Sequence, residues 1–116
     1  MLNHSEQLDR AFGALADATR RAIVERLAQG PATVSEIAGP LSISLPAISH
    51  HLRALEHGGL IRSEKVGRVR TCRIEPAALR TVEAWMSARR AHWEHRLDRL
   101  ETFLRSAKTR KPPTQR

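Results

Sequence analysis

The sequence predicts a mostly helical α+β fold, in which a helix-turn-helix is followed by a two-stranded β-hairpin and long helices lie at both ends. Three observations carry this prediction. A capped amphipathic segment runs from Ser44 to His57, two β-prone runs joined at a glycine follow it, and a helical apolar pattern extends from Pro76 to about Arg105. The 116 residues are enough for one hydrophobic core but not for two.

The first two helices are predicted from apolar spacing and from end signals. Residues 5–16 form the first helix, with three apolar side chains on one face: Leu8, Phe12 and Leu15. Asp17 caps a second helix that runs to about Ala28, and Gly30 and Pro31 stop it. These helices precede the helix-turn-helix.

A capping box opens the first helix of the helix-turn-helix. The Thr33 hydroxyl can accept from the amide of Glu36, and the Glu36 carboxylate can accept from the amide of Thr33. We expect this short helix to end near Gly39 and Pro40.

The second helix of the motif has one apolar stripe, formed by Ile48, Leu52 and Leu55. Its opposite face carries short or hydrogen-bonding side chains and no acid: Pro46, His50, Arg53 and His57. Ser44 is the expected N-cap, and Pro46 lies in the first turn, where it breaks no helical hydrogen bond. A helix that begins in this way can enter a DNA major groove with its N-terminal half.

A basic hairpin follows this helix after Gly58 and Gly59. Residues 60–66 and 69–74 are β-prone and are joined at Gly67 and Arg68. The hairpin holds five basic side chains against two acids: Arg62, Lys65, Arg68, Arg70 and Arg73 against Glu64 and Glu75. A basic hairpin directly after a recognition helix is a wing.

This order of parts resembles the ArsR/SmtB-type winged helix-turn-helix repressors of bacteria. The residues that carry the resemblance are 17–24, which read Asp-Ala-Thr-Arg-Arg-Ala-Ile-Val, and 49–55, which read Ser-His-His-Leu-Arg-Ala-Leu. The resemblance covers roughly Leu8 to Leu104, which is nearly the whole chain. The chain departs from the family pattern at three places. Ala18 stands where the family commonly has proline, Gly39-Pro40 replaces a more regular helix end, and Cys72 replaces a usual aromatic residue of the wing.

Charge and composition fit an anionic partner. Twenty Lys and Arg residues against 12 acids give a formal charge of +8, and phosphate-rich nucleic acid is the leading partner. Residues 106–116 are basic, lack apolar periodicity and contain two prolines, so we predict a disordered tail after a domain of residues 1–105. A single cysteine, the lack of a membrane-length apolar run and the lack of a signal-peptide pattern favour a cytoplasmic protein.

The last predicted helix is on the order of 45 Å long, more than a domain of this size covers alone. Leu79, Met86, Trp93 and Leu100 are spaced by sevens along it. We therefore expect a homodimer in which this last helix packs on the first helix and on its own mate. The family resemblance also implies a dimer with the first and last helices at its interface. The predicted interface residues are Leu8, Phe12, Leu15, Met86, Trp93, Leu97, Leu100 and Leu104. The alternative is a helix that folds back on its own monomer.

A two-fold dimer would present two recognition helices about 34–36 Å apart, so the DNA site should be an imperfect inverted repeat. The predicted DNA contacts are Ser44, Pro46, Ala47, Ser49, His50, Arg53, Arg68, Arg70 and Arg20. Arg53 can bind guanine O6 and N7 together or can clamp a phosphate. Arg68 and Arg70 should hold phosphates or the minor groove, and Arg20 binds backbone or is a surface charge.

Repression of transcription is the predicted function, with the protein's own gene as one target to test and with an unknown effector. The family's Cys-x-Cys metal pair is absent from residues 34–38, and we expect no metal or cofactor. His92 and His95 provide half of another family metal site, since Thr81 and Leu79 occupy the positions of its early ligands. A metal-responsive repressor and a winged-helix protein-interaction module are the alternatives; no catalytic motif indicates an enzyme. Cys72 is either a redox-active thiol or an inert small side chain.

Overall fold

The computed structural model describes residues 3–109. The chain divides into two compact units, residues 1–83 and residues 84–116. The elements are α1 (His4–Leu15), α2 (Ala18–Leu27), β1 (Ala32–Thr33), α3 (Val34–Leu41), α4 (Leu45–His57), β2 (Ile61–Val66), β3 (Val69–Ile74) and α5 (Pro76–Thr109). Their order confirms the predicted helix-turn-helix, wing and terminal helices.

The core of the first unit lies between the helices and the sheet. Its largest fully buried side chains come from α2, α3, α4 and the sheet: Ile23, Ile37, Ile48, Leu55, Leu60 and Cys72. The apolar stripe of α4 is therefore inside, as its spacing predicted, because Ile48, Leu52 and Leu55 are each at most 2% exposed. Burying a side chain of this size contributes about 1.5–3 kcal/mol. Burial of this stripe turns the opposite face of α4 to solvent.

Side-chain caps fix where α2, α3 and α4 begin, and each agrees with the sequence. Asp17 Oδ1 accepts from the amide of Arg20 at 3.0 Å. The Thr33 hydroxyl accepts from the amide of Glu36 at 3.2 Å, while the Glu36 carboxylate accepts from the amide of Thr33 at 2.8 Å. Each cap satisfies an amide that has no partner within the helix. The predicted capping box is therefore confirmed.

The sheet has three antiparallel strands in the order β1-β3-β2, one more than the predicted hairpin. The added strand is two residues long and pairs Ala32 with Cys72 and Thr33 with Thr71. Two residues are too few for an alternating pattern to be recognised in a sequence. At the other side of β3, Val66 pairs with Val69 across a turn in which Gly67 has a φ of 63°. Glycine adopts that backbone conformation without steric cost.

Two helices end beyond the predicted residues. Helix α3 ends at Leu41, one residue past the predicted end near Gly39 and Pro40, and Ser42 caps it with a left-handed φ of 53°. Proline disfavours helix in the preceding residue partly through that residue's Cβ, and glycine has none. Helix α5 runs to Thr109, past the predicted end near Arg105, so the start of the predicted tail is helical. Residues 110–116 of that tail lie outside the described residues.

The second unit consists of the later part of α5. Its apolar side chains lie mostly on one side of the helix and are exposed, including Met86, Trp93, Leu97, Leu100 and Leu104, which are 51–58% exposed. Within the described part of the chain, no helix is both long and apolar enough to cross a membrane.

Candidate nucleic-acid interface

The outer face of α4 is exposed and has no acidic side chain. Pro46, His50 and Arg53 are exposed, and Ala47 and Ser49 are half-buried at the edges of this face. Within residues 3–109 the Arg53 guanidinium has no hydrogen-bond or ion-pair partner. Arginine in this state has all five of its N–H donors available for a ligand. The structure thus brings five of the predicted base-contacting positions onto one surface.

Ser44 has a structural role at the start of this surface. Its hydroxyl oxygen accepts from the amide of Ala47 at 3.3 Å, which caps α4. The hydroxyl hydrogen can still donate to a phosphate. The predicted N-cap is confirmed, whereas the DNA contact remains a prediction.

Arg20 lies against α4. Its Nε donates to Nδ1 of His51 at 3.3 Å, and Asp17 Oδ1 lies 3.9 Å from the same nitrogen. The pKa of the Asp17 carboxyl is lowered, first by the hydrogen bond from the Arg20 amide and also by the nearby His51. His51 is therefore a half-buried residue that holds α4 to the start of α2 through a hydrogen bond. This contact also shows that Arg20 supports α4, whatever further contact its remaining donors make.

The tip of the wing is basic, and its cationic side chains have no ion-pair partner among residues 3–109. Nearer the base of the hairpin, Arg62 lies 3.4 Å from Glu75 and Arg73 lies 3.7 Å from Glu64. Closer to the tip, Lys65 stands directly opposite Arg70 across the strand pair. Like charges placed opposite each other destabilise a strand pair unless an anion lies between them. With Arg68 in the turn, these side chains form an exposed cationic tip.

Two residues of this surface were missed by sequence reasoning. Lys65 was counted as part of the basic wing but not as a contact, and only the strand register places it against Arg70. Leu45, the first residue of α4, is 59% exposed. It is an apolar residue at the end of a helix that can enter a groove, where a thymine methyl is an apolar partner. No sequence signal separates it from the core leucines of the same helix.

The predicted dimer-interface residues do not share one environment. Leu8 is only 8% exposed and belongs to the core of its own unit, and Leu15 is half-buried against that core. On α1, Phe12 is 38% exposed. The five predicted residues of α5 are all exposed, and Phe103, which the prediction omitted, is 67% exposed. Leu8 therefore contributes to the core of its own unit, and the interface role of all eight residues stays a prediction.

His92 and His95 are exposed on α5. Across residues 3–109, no three side chains of metal-ligating type come close enough together to hold an ion. Cys72 is fully buried at the middle of the sheet. Burial, together with the nearby Glu56 carboxylate, raises the pKa of the Cys72 thiol. A buried thiol with a raised pKa is a poor nucleophile, which favours the packing interpretation of this residue.

A capped helix with an exposed acid-free face, followed by a wing with a cationic tip, defines the winged helix-turn-helix class of DNA-binding domains. The sequence matches the family described as "Helix-turn-helix domain" over residues 15–64. The HTH-type transcriptional regulator Rv2034 of Mycobacterium tuberculosis is 51% identical over 76 residues, which are 63% of this chain and 71% of that protein. The transcriptional repressor SdpR of Bacillus subtilis is 33% identical over 68% of this chain and 88% of its own length.

Solved structures give the same result. The crystal structure of an ArsR family transcriptional regulator is 50% identical, with a TM-score of 0.74, and covers 81% of this chain and 97% of that one. The homodimeric winged helix-turn-helix DNA-binding domain Mb0332 of Mycobacterium bovis is 32% identical, with a TM-score of 0.61, over 78% of this chain and 84% of its own. This chain belongs to the ArsR/SmtB family of winged helix-turn-helix transcriptional regulators.

Proposed function

We propose that this protein is a homodimeric repressor that binds an inverted-repeat operator, including one in front of its own gene. The observation that carries the proposal is the unpaired Arg53 at the centre of the acid-free face of α4. An arginine in that place can read guanine through O6 and N7, which supports sequence-specific recognition. Repression is supported by the similarity to the Bacillus subtilis repressor.

The wing adds affinity for any DNA sequence. Lys65, Arg68 and Arg70 are exposed and have no acidic partner among the described residues, so they can replace the counterions that surround phosphates. Contacts of this kind give salt-dependent binding and fix the orientation of the domain on the duplex. In this proposal α4 reads bases and the wing holds backbone.

Dimerisation is supported by the apolar seam of α5. Met86, Trp93 and Leu100 are spaced by sevens and are more than half exposed in one subunit. Full burial of each such side chain contributes about 1.5–3 kcal/mol, so a second copy of the seam can bind with several kcal/mol per subunit. The homodimer of the Mycobacterium bovis relative supports this assembly.

DNA binding is tested by fluorescence anisotropy with two labelled duplexes, the DNA upstream of the protein's own gene and a scrambled duplex of equal length. We expect tighter binding to the upstream DNA and a decrease in both affinities as salt rises from about 50 to 200 mM. Equal affinity for both duplexes would contradict sequence-specific repression. Binding that is absent or insensitive to salt would favour a protein-interaction module.

Dimerisation is tested by analytical ultracentrifugation of Leu100→Glu, with Thr102→Glu as the matched control. The two positions are two residues apart, so they lie on opposite faces of α5. We expect a dimer for the unmodified chain and the control, and a monomer for Leu100→Glu. A monomeric unmodified chain would contradict the proposed assembly.

A further inference from the structure

A cavity of about 260 Å³ lies within the first unit, between α1, the C-terminal end of α4 and the first turns of α5. It shares His57 with the outer face of α4 and contains none of the cationic residues of the wing tip. We propose that this cavity binds a small organic anion, a carboxylate that carries a short apolar group. Binding itself does not depend on the proposed function; its effect on DNA binding does.

The size of the cavity limits the ligand. A cavity of about 150 Å³ holds benzene, so about 260 Å³ suits roughly ten non-hydrogen atoms. This volume is just below the usual range of about 300–1,000 Å³ for ligand pockets, so the ligand must be small. Benzoate, which has nine non-hydrogen atoms, is of the right size, whereas a nucleotide or a long fatty acid is too large.

The polar side chains of the lining that have no hydrogen-bond or ion-pair partner within residues 3–109 are Gln7, Arg10 and His57, and each offers a hydrogen-bond donor. The one acid of the lining, Glu75, lies 3.4 Å from Arg62 and accepts from the amide of Ala77 at 3.4 Å. Its charge is therefore already compensated. What remains for a ligand is an unpaired guanidinium, an imidazole and the Gln7 amide. A carboxylate matches a guanidinium with two parallel hydrogen bonds.

The wall of the cavity is built from small residues. Gly58, Gly59, Ala77 and Ala78 contribute little more than backbone and methyl groups. A ligand that fits here therefore has an apolar body against this wall and a charged group towards Arg10. A compact inorganic anion would leave the apolar part of the cavity unfilled.

The position of the cavity connects it to DNA binding. Gly58 and Gly59 join the recognition helix α4 to wing strand β2, so a bound ligand contacts the link between the two DNA-binding elements. His57 is the last residue of α4 and lies one turn beyond Arg53 on the same face. A ligand that holds His57 and this link fixes the angle between α4 and the wing. In this way the cavity can serve as the effector site of the proposed repressor.

Ligand binding is tested without DNA, by titrating the ¹⁵N-labelled full chain with benzoate and with benzamide, which has the same shape but no charge. We expect saturable shifts of the Gly58, Gly59, Ala77 and Ala78 amide signals with benzoate and much weaker binding of benzamide. Arg10→Gln should weaken benzoate binding at least about ten-fold, because hydrogen bonds to charged groups are lost. Arg80→Gln, an exposed arginine of α5 outside the cavity, should leave it unchanged.

A second variant tests the cavity by volume. Ala77 is exposed at the cavity and lies in the first turn of α5, so Ala77→Leu fills the space without disturbing the core. We expect it to abolish benzoate binding, whereas Ala84→Leu, outside the lining, should not. Equal affinity for benzoate and benzamide, shifts spread over the whole chain, or unchanged binding by Ala77→Leu would each overturn the proposal. A chain that binds benzoate but no DNA would contradict only the proposed function.

Discussion

The side chain of Arg20 donates from Nε to Nδ1 of His51 at 3.3 Å, which joins the start of α2 to the recognition helix α4. The same nitrogen lies 3.9 Å from Oδ1 of Asp17, the N-cap of α2. Helix α4 is thus held from its inner side by a polar contact as well as by its apolar stripe, and its outer face is left free.

Substitution of Arg53 tests base recognition. We expect Arg53→Ala to weaken operator binding by about 1–3 kcal/mol and to relax the preference at one base pair. The matched variant Arg53→Lys keeps the charge but loses the two-pronged geometry that reads guanine. Anisotropy measurements on operator and single-base-changed duplexes compare the two. If lysine restores both affinity and preference, the contact is to phosphate.

Substitution at the wing tests the backbone contact. Arg68→Ala should weaken binding to operator and scrambled DNA alike and reduce the slope of log K against log salt by about one unit. Arg62→Ala is the control within the same hairpin, because Arg62 lies 3.4 Å from Glu75 near the base of the wing. We expect the control to keep the full slope. Equal slopes for all three proteins would remove Arg68 from the interface.

Gly58 and Gly13 should respond to alanine with opposite signs. A Cβ on Gly58 would lie 2.8 Å from Ala14 Cβ and 2.9 Å from the Arg10 carbonyl oxygen, so α1 would have to move. We expect Gly58→Ala to lower the free energy of unfolding by about 1–3 kcal/mol. Gly13 lies within α1 and has open space around its Cβ position, so Gly13→Ala should raise that free energy by about 0.5–1 kcal/mol. Urea denaturation of both variants measures the difference, and destabilisation of equal size would contradict it.

The capping box predicts a pH dependence of stability. The hydrogen bond from the Thr33 amide lowers the pKa of the Glu36 carboxyl from its ordinary value of 4.5. The folded protein therefore binds this proton less tightly than the unfolded chain does. The resulting stabilisation is complete above about pH 4.5 and is lost as the pH falls through the lowered pKa.

Glu36→Gln is the matched variant, since it keeps an acceptor but does not titrate. We expect its urea midpoint to lie below that of the unmodified chain near neutral pH and the gap to close as the solution is acidified below about pH 4.5. A gap that stays constant down to about pH 3 would show that the Glu36 charge contributes nothing to folding.

Most helix starts could be predicted because their signals are local. Asp17, Thr33 and Ser44 each act on an amide three residues further along, a distance that the sequence alone defines. The apolar stripe of α4 is equally local, since its spacing determines which face is buried. These signals were sufficient for the fold and for the exposed face around Arg53.

Features that depend on distant residues could not be predicted. Strand β1 exists because Ala32 pairs with Cys72, which is 40 positions away in the sequence. The contact of Arg20 with His51 and the position of Leu8 in the core likewise depend on how the helices pack. Helix α3 includes Pro40 and ends one residue later, because Gly39 has no Cβ to clash with the proline ring.

Cys72 is the only cysteine of the chain and lies fully buried on the central strand of the sheet. A thiol reagent can reach it only when β3 separates from its neighbours. Its labelling rate at low reagent concentration therefore reports the equilibrium population of the open sheet, and at high concentration it approaches the opening rate itself. Cys72 thus reports rare opening of the sheet in the native protein. DNA bound at the wing should slow the labelling of Cys72, although the DNA does not contact this residue.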